Sequence, residues 1–412
     1  MIRLFYILIS LFSFTGWSQS ETDSLPNYIR SVVFSDSNGP QSLPIILLND
    51  TINLSFDVLN NNEGDFYYRI THHNYDWSIS NLMVNEYLNG FNDIRFANYQ
   101  NSISTYQLYS HYELTLPNSN TSFKKTGNYM LHIYDDNDTL LFNRAFIIYQ
   151  ADTKVGIDIK RSRDLVNINQ KQVVQYTVIN PSGWQNPQQT ITTSIFQNRL
   201  LDNAIHGVKQ QYTLGDELHY RYNEETSFWG GNEYLFFENK DIRVANNAIQ
   251  FIDLQDVYHS YLYSDVPRYN QTYTYNPDIN GQFVTTMFNA NNPKIEADYS
   301  WVHFSLLGND NLDGGRVHVF GGFNNFSVTN ETQMTYNSER GAFEAALYLK
   351  QGFYNYKYVV QNPNGSIDTS AISGDFYQTE NTYTVLVYFR ELGGRYDQVI
   401  GFGETSSIII SN

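Results

Sequence analysis

Histidine and carboxylate side chains are the groups in this chain that could hold a metal ion, and their spacing predicts no such site. His72 and His73 are adjacent in an alternating stretch, so they point to opposite faces of a strand and cannot share an ion. The loop Asn309–Gly314 begins like a calcium loop, but its twelfth position is Phe320, where a bidentate Glu is required. We therefore expect no metal site and no bound cofactor.

Motifs for covalent catalysis are also missing. The chain has no cysteine and no Gly-x-Ser-x-Gly nucleophile elbow, and the segment GFGETS at Gly401 lacks the third glycine of a nucleotide-binding fingerprint. Glu224 and Glu225 are adjacent in a predicted loop, which is typical of solvated surface rather than of a paired acid and base. The sequence therefore predicts a protein that is not an enzyme and has no small-molecule substrate.

The elements that would position any site are strands. Apolar and polar residues alternate over Ile52–Val58, and this pattern places Asn53, Ser55 and Asp57 on the solvent face of a sheet that is buried on one side. The alternation recurs through the chain with turn residues between, and helical periodicity is almost absent. We therefore expect an all-β chain built as tandem immunoglobulin-like β-sandwich domains.

Two polar stretches divide the chain. Its length of 412 residues suggests more than one domain, and the stretches Ala151–Lys154 and Asn291–Asp298 each separate alternating strands. We predict three consecutive sandwiches, at residues 28–150, 155–290 and 299–412.

The N-terminus predicts export. Residues 1–18 contain Arg3, an apolar core over Leu4–Phe14 and then small residues, which is the pattern of a secretory signal peptide. Because the chain has no cysteine, it can form neither a disulfide nor a lipoprotein anchor. The formal net charge of −17 argues against nucleic acid as a partner, because phosphate backbones repel an acidic surface.

Several segments occur in an order that resembles one known family. They are THHNYDW from Thr71, NEYLNGFND from Asn85, SHYELTLPN from Ser110 and GNYMLHIYDDND from Gly127, followed by QNRLLDNAIHG, GGNEY and LKQGFYNYKY. These segments resemble the plug protein of the bacterial type IX secretion system, most strongly over residues 44–150. The resemblance implies a non-enzymatic periplasmic subunit, peripheral to the outer membrane, that binds the outer-membrane translocon barrel and occludes its pore when no cargo shuttle is bound.

An aromatic-rich loop follows the strand that ends near His73. A connecting loop with so many large apolar groups favours a role in binding, because interfaces are enriched in buried aromatic residues. We expect the residues that bind the partner to be Tyr75, Trp77, Tyr87, Phe91 and Phe96.

The third predicted sandwich resembles early-set immunoglobulin-like modules such as glycogen-binding domains, with a tight hairpin expected at Gly352. Those modules usually present tryptophans to the sugar, whereas this chain has Phe323 and Phe326 in that region and no tryptophan after Trp301. The alternative function is an envelope glycan-binding protein that uses an exposed aromatic platform at residues 320–326. An outer-membrane β-barrel and a cargo of the same secretion system are further alternatives.

Overall fold

The structure, a computed structural model, describes residues 25–60, 63–179 and 184–410. These residues form 31 strands, three helices of four residues and two 3-10 turns, so the predicted all-β class is confirmed. The predicted signal peptide at residues 1–18 lies outside the described residues. Within the described part of the chain, no helix has both the length and the apolar character needed to cross a membrane.

The first unit is a two-sheet sandwich. Its elements are β1 (Ile29–Asp36), β2 (Gly39–Pro40), β3 (Ile45–Leu47), β4 (Ile52–Leu59), β5 (Tyr67–His73), α1 (Val84–Tyr87), β6 (Leu88–Gly90), β7 (Ile94–Arg95), β8 (Asn98–Asn101), β9 (Tyr109–Leu116), β10 (Thr121–Phe123), β11 (Gly127–Tyr134) and β12 (Leu140–Tyr149). One sheet has the order β2-β1-β4-β9-β8, the other has the order β3-β12-β11-β5-β7, and β6 pairs with β10. Between the sheets, Phe56 of β4 is fully buried and packs against four other aromatic rings, as the alternation predicted.

The remaining elements follow in chain order. They are β13 (Thr153–Arg161), β14 (Lys171–Ile179), α2 (Pro187–Thr190), β15 (Ile191–Gln197), β16 (Ile205–Val208), β17 (Tyr212–Leu214), β18 (Glu217–Tyr220), β19 (Ser227–Trp229), β20 (Leu235–Glu238), β21 (Ile249–Leu254), β22 (Tyr258–Leu262), β23 (Phe283–Thr285), α3 (Pro293–Glu296), β24 (Tyr299–Leu307), β25 (Arg316–Phe320), a 3-10 turn (Gly322–Asn324), β26 (Thr335–Asn337), β27 (Ala342–Lys350), β28 (Gly352–Gln361), β29 (Ile367–Asp368), β30 (Thr382–Phe389), β31 (Gln398–Ser406) and a second 3-10 turn (Ser407–Ile409).

The second unit is discontinuous in sequence. Its nine-stranded sheet has the order β16-β15-β30-β31-β13-β14-β18-β17, with β19 also paired to β14. Side chains from both halves of this sheet, including Tyr176 of β14 and Val385 of β30, share one apolar core. The last two strands, which the sequence placed in the third sandwich, therefore complete the second unit.

The third unit is inserted between β19 and β30. Strands β20 and β23 pair with β28, and the second sheet of the unit has the order β21-β22-β24-β27-β26. The predicted boundary at residues 291–298 is thus a connection inside this unit. Its polar composition reflects a helix start, because the Asn292 side chain accepts a hydrogen bond from the Lys294 amide and Pro293 occupies the first helical position. The other predicted junction, residues 151–154, covers the end of the connection after β12 and the first two residues of β13.

At Gly352, where a hairpin was predicted, the chain instead passes from one sheet of the third unit to the other. Strand β27, which ends at Lys350, pairs with β24 and β26, whereas β28 pairs with β20, β23, β25 and β29. A Cβ atom at Gly352 would lie 2.5 Å from the carbonyl oxygen of Val284, so the absence of a side chain lets β23 approach. The hairpin prediction was wrong because alternation in two adjacent strands does not specify that they pair with each other.

Charged groups are buried where the first unit meets the third. Asp57 of β4 is fully buried, although the alternation placed it on the solvent face. Its Oδ2 atom accepts hydrogen bonds from Lys350 Nζ and from the Tyr299 hydroxyl, each at 2.6 Å, and its Oδ1 atom lies 2.6 Å from His111 Nδ1. Lys350 and Tyr299 belong to the third unit, so the outer face of β4 is the face that contacts that unit. We call these four residues the Asp57 cluster.

The charges of the Asp57 cluster compensate one another. Burial by itself would raise the pKa of Asp57, but Lys350 and His111 lower it below its usual value. Burial would lower the pKa of His111, but hydrogen bonds with Asp57 and Glu113 raise it. The Lys350 ammonium also lies 4.0 Å from the centroid of the Tyr109 ring, a cation–π distance. A buried ion pair of this kind requires both partners, because either charge alone would be desolvated without compensation.

The first unit also contacts the second. Arg199, which follows β15, donates from Nη1 to Asp36 Oδ2 at 2.8 Å and from Nε to Glu404 Oε2 at 2.9 Å. Beside this ion pair, Ile147 of β12 and Leu386 of β30 are fully buried in a shared apolar cluster. The first unit therefore packs against both other units through charged and apolar contacts.

His72 is buried near the contact between the first and second units. It is 1% exposed, and its ring lies 5.6 Å from that of Tyr87 and 5.8 Å from that of Tyr396 in the second unit. Burial lowers the pKa of His72 to about 4, although its Nε2 atom lies 3.1 Å from the carbonyl oxygen of Thr126. The folded protein therefore holds His72 neutral in a pH range where the unfolded chain would protonate it.

We predict that Asp57→Asn lowers the free energy of unfolding by about 3–5 kcal/mol, because it leaves the Lys350 ammonium buried without a counter-charge. Lys350→Met should cost less, because His111 remains beside the Asp57 carboxylate. The double variant should lose clearly less than the sum of the two single variants, since no uncompensated charge remains. Denaturant unfolding followed by circular dichroism measures all four proteins, and additive losses would contradict the pairing.

We predict that stability falls as the pH is lowered from 6.5 towards 4. In this window the unfolded chain binds a proton at His72 and the folded protein does not, so protonation favours unfolding by up to about 3 kcal/mol. His72→Phe should flatten this dependence, and the remaining slope should include His132, whose pKa is also lowered to about 4 by burial. Urea unfolding at a series of pH values tests this, and an equal slope in wild type and variant would refute it.

Candidate partner-binding surface

The aromatic-rich loop is a structured excursion of the first unit, residues 74–96. It begins with a tight turn in which the Asn74 amide donates to the Ser78 carbonyl oxygen at 2.8 Å, so that Ile79 returns to form an isolated bridge with His73. Helix α1, strand β6 and strand β7 follow, and β7 pairs with the start of β5. The excursion therefore leaves the end of β5 and returns to its beginning.

Two of the five predicted partner-binding residues lie in the core. Tyr87 and Phe96 are each 4% exposed and belong to the apolar cluster between the two sheets of the first unit. The Tyr87 hydroxyl donates to the Ile70 carbonyl oxygen at 3.1 Å, and the Phe96 ring lies 5.5 Å from that of Phe56. Their aromatic character reflects the packing of the excursion onto the sandwich, so neither is placed to anchor a partner.

Two more of these residues face the second unit. The Tyr75 amide donates to Asp397 Oδ2 at 3.1 Å, and the Tyr75 ring lies 6.1 Å from that of Tyr388. Trp77 is half-buried against the apolar cluster that Ile147 and Leu386 share. Its φ is 62°, and its carbonyl oxygen lies 2.7 Å from His73 Nδ1. The tip of the excursion thus packs against the second unit of the same chain.

Phe91 is the one residue of the five that is mainly exposed. Its side chain is 75% exposed, but its backbone is fixed, because its amide donates to the Asn120 carbonyl oxygen at 3.1 Å. Gly90 before it has a φ of +90°, and a Cβ atom there would lie 1.9 Å from the same oxygen. Asn92 after it accepts from the Ile70 amide at 2.7 Å and donates to the Ile70 carbonyl oxygen at 2.9 Å. The Phe91 ring is therefore presented to solvent from a rigid backbone.

Three aliphatic side chains of the excursion are also exposed: Ile79 at 73%, Met83 at 71% and Val84 at 42%. We call these three and Phe91 the exposed apolar set. Glu86 fixes the start of α1 by accepting from the Met83 amide at 2.8 Å, and it pairs with Arg395 of the second unit, which lowers the pKa of Glu86. The sequence prediction considered only aromatic residues and so missed these three side chains. Their polar neighbours in the segment SISNLMVNE could have indicated that they are exposed.

The aromatic platform expected for glycan binding at residues 320–326 is only partly exposed. Phe320 and Phe326 are each 5% exposed, whereas Phe323 is half-buried beside the core of the third unit. Among the described residues, no group of three or more His, Asp or Glu side chains is arranged to hold a metal ion.

Comparison with known proteins identifies the first unit. Residues 29–150 match the family described as Type 9 secretion system plug protein 1st domain. The crystal structure of a hypothetical protein from Parabacteroides merdae ATCC 43184 is similar to the chain, with 30% identity and a TM-score of 0.87, over 93% of this chain and 98% of that one. The type II cohesin dyad of the Acetivibrio cellulolyticus adaptor ScaA scaffoldin aligns at 6% identity with a TM-score of 0.15, over 88% of each chain, which is too dissimilar to support any argument.

No curated protein matches the chain. The family match covers the unit that carries the exposed apolar set, and the Parabacteroides merdae protein shares the arrangement of all three units. Residues 29–150 therefore form a domain of the type 9 secretion system plug protein 1st domain family.

Proposed function

We propose that this protein is a non-enzymatic periplasmic subunit that binds the outer-membrane translocon barrel of the type IX secretion system and occludes its pore when no cargo shuttle is bound. The observation that carries the proposal is the match of residues 29–150 to the first domain of the plug family. That family implies association with the secretion apparatus in the cell envelope. The barrel as partner and the occlusion of its pore are what the proposal adds.

A plug must keep its shape under thermal fluctuation while it blocks a pore. The contacts between units support this requirement, because Asp57 ties the first unit to the third and Arg199 ties it to the second. Both ion pairs are buried, so salt screens them less than it screens surface pairs. The three units can therefore move onto and off the barrel as one body.

We assign the contact with the barrel to the side chains of the exposed apolar set. Exposed apolar groups on a rigid backbone lose little conformational entropy on binding, and the Phe91 backbone is hydrogen-bonded on both sides. Aromatic side chains are enriched among the residues that dominate binding energy. A surface with few such anchors is also suited to release, since obligate interfaces are larger and more apolar.

We predict that deleting the gene leaves secretion largely intact and makes the outer membrane permeable to large solutes, because an open translocon barrel does not exclude them. Sensitivity of the deletion strain to a large antibiotic measures the leak. The wild-type gene should restore resistance. Unchanged permeability in the deletion strain would contradict occlusion.

We predict that the triple variant Ile79→Ala, Met83→Ala, Phe91→Ala binds the barrel more weakly by several kcal/mol, because truncation of a single dominant anchor costs about 2 kcal/mol or more. The fold should survive, since exposed substitutions change stability by only about 0.5 kcal/mol each. Co-purification with the barrel and a circular-dichroism melt measure the two properties.

The matched control is Leu165→Ala, Val166→Ala, Leu392→Ala, which removes three exposed apolar side chains from the second unit. This variant should bind the barrel normally. Equal loss of binding in both triple variants, or normal binding by the first, would remove the exposed apolar set from the interface.

A further inference from the structure

A cavity of about 390 Å³ lies where all three units meet. Ala145 of the first unit, Trp229 of the second and Phe326 of the third all line it. Small-molecule sites in proteins have volumes of about 300–1,000 Å³ and occur preferentially at domain interfaces. The size and the position of this cavity are therefore those of a ligand site.

Lys357 lines the cavity, and its ammonium group has no hydrogen-bond acceptor among the described residues. Among the described residues, its Nζ atom forms no hydrogen bond and no ion pair, and lies 5.0 Å and 5.8 Å from the ring centroids of Tyr234 and Phe320. Burial lowers the pKa of Lys357 to about 8, although Asp375 and Asp278 act in the opposite direction. The group is thus still mainly protonated at pH 7, and its three donors can serve a ligand.

Two more polar side chains of the lining make no side-chain hydrogen bond to the described residues. The Lys171 ammonium lies 4.4 Å from the centroid of the Trp229 ring and makes no side-chain hydrogen bond to any residue that the structure describes. The side-chain amide of Asn325 likewise forms no hydrogen bond within the described ranges. Trp229 itself is 49% exposed. The cavity therefore offers donors, an amide oxygen and an accessible aromatic ring.

The charge of the lining differs from that of the protein. Four cationic side chains line the cavity, from Arg144, Lys171, Arg199 and Lys357, against two carboxylates, whereas the chain as a whole has a formal net charge of −17. Arg199 is already paired with Asp36 and Glu404, but the two lysines form no ion pair with a described residue. An anion would enter a site of this kind in preference to a neutral molecule or a cation.

We propose that this cavity binds a small carboxylic acid carried on a sugar-like ring. The Lys357 ammonium donates to the carboxylate, the ring packs on the face of Trp229, and Lys171 and Asn325 hydrogen-bond to the hydroxyl groups. The ligand is bound and not converted. This site is distinct from the exposed apolar set, and the proposal does not depend on binding to the barrel.

Isothermal titration calorimetry of the purified full chain tests the proposal with three probes. Sodium glucuronate carries both the ring and the charge, glucose carries the ring alone, and sodium acetate carries the charge alone. We expect glucuronate to bind at one site per chain and at least tenfold more tightly than glucose or acetate. Absence of glucuronate binding, or equal affinity for the three probes, would overturn the proposal.

Lys357→Met keeps the length of the side chain and removes its charge, so it should weaken glucuronate binding at least tenfold. The control Lys154→Met removes an exposed lysine at the start of β13 and should bind like wild type. Equal affinity in wild type and Lys357→Met would refute the proposed contact.

A measurement on the wild-type protein keeps the test decisive if Lys357→Met fails to fold. Trace acetylation of the lysines, read by mass spectrometry, should slow at Lys357 at least fivefold when glucuronate saturates the protein. Acetylation of Lys154 should not change. An unchanged rate at Lys357 would overturn the proposal.

Discussion

The buried carboxylate of Asp57 is the constraint on which the arrangement of the three units depends. It lies on the outer face of a first-unit sheet and is neutralised there by Lys350, which comes from a different unit nearly three hundred positions later in the chain. A carboxylate in such a place would cost several kcal/mol if it were unpaired. Because the third unit itself buries this face, its docking is favourable only if it also brings Lys350 to the carboxylate. Docking in turn brings the walls of the central cavity together and holds the first unit, with its exposed apolar set, on a rigid base.

The alternation of apolar and polar residues predicted the strands well and their partners poorly. It placed Phe56 in the core correctly, because a buried face repeats every second residue. It placed Asp57 in solvent incorrectly, because alternation cannot distinguish a face in water from a polar face that another unit covers. The insertion of the third unit was missed for a related reason. Strands β30 and β31 have the same local pattern as their neighbours, and only long-range pairing with β15 and β13 assigns them to the second unit.

The aromatic excursion shows the same limit at the candidate site. Its composition predicted correctly that the loop is more than a connector, but large rings serve a core, a contact between units and a free surface equally well. Tyr87 serves the first of these purposes, Trp77 the second and Phe91 the third. What separates them is backbone geometry, such as the positive φ of Gly90 that turns Phe91 outward, and this geometry depends on residues distant in sequence. Family resemblance indicated the function of the first unit, which the alternation of apolar and polar residues could not. The order of several sequence segments is specific to a family, whereas alternation is common to all β folds.

We propose that the first unit presents Phe91 to the translocon barrel, and site-specific photo-crosslinking in the native envelope tests this contact. A benzophenone side chain would replace Phe91 in one strain and Leu392, an exposed residue of the second unit, in another. We expect a crosslink from position 91 to an outer-membrane barrel protein and none from position 392. A crosslink from position 392 alone, or from neither position while the protein still co-purifies with the barrel, would contradict it.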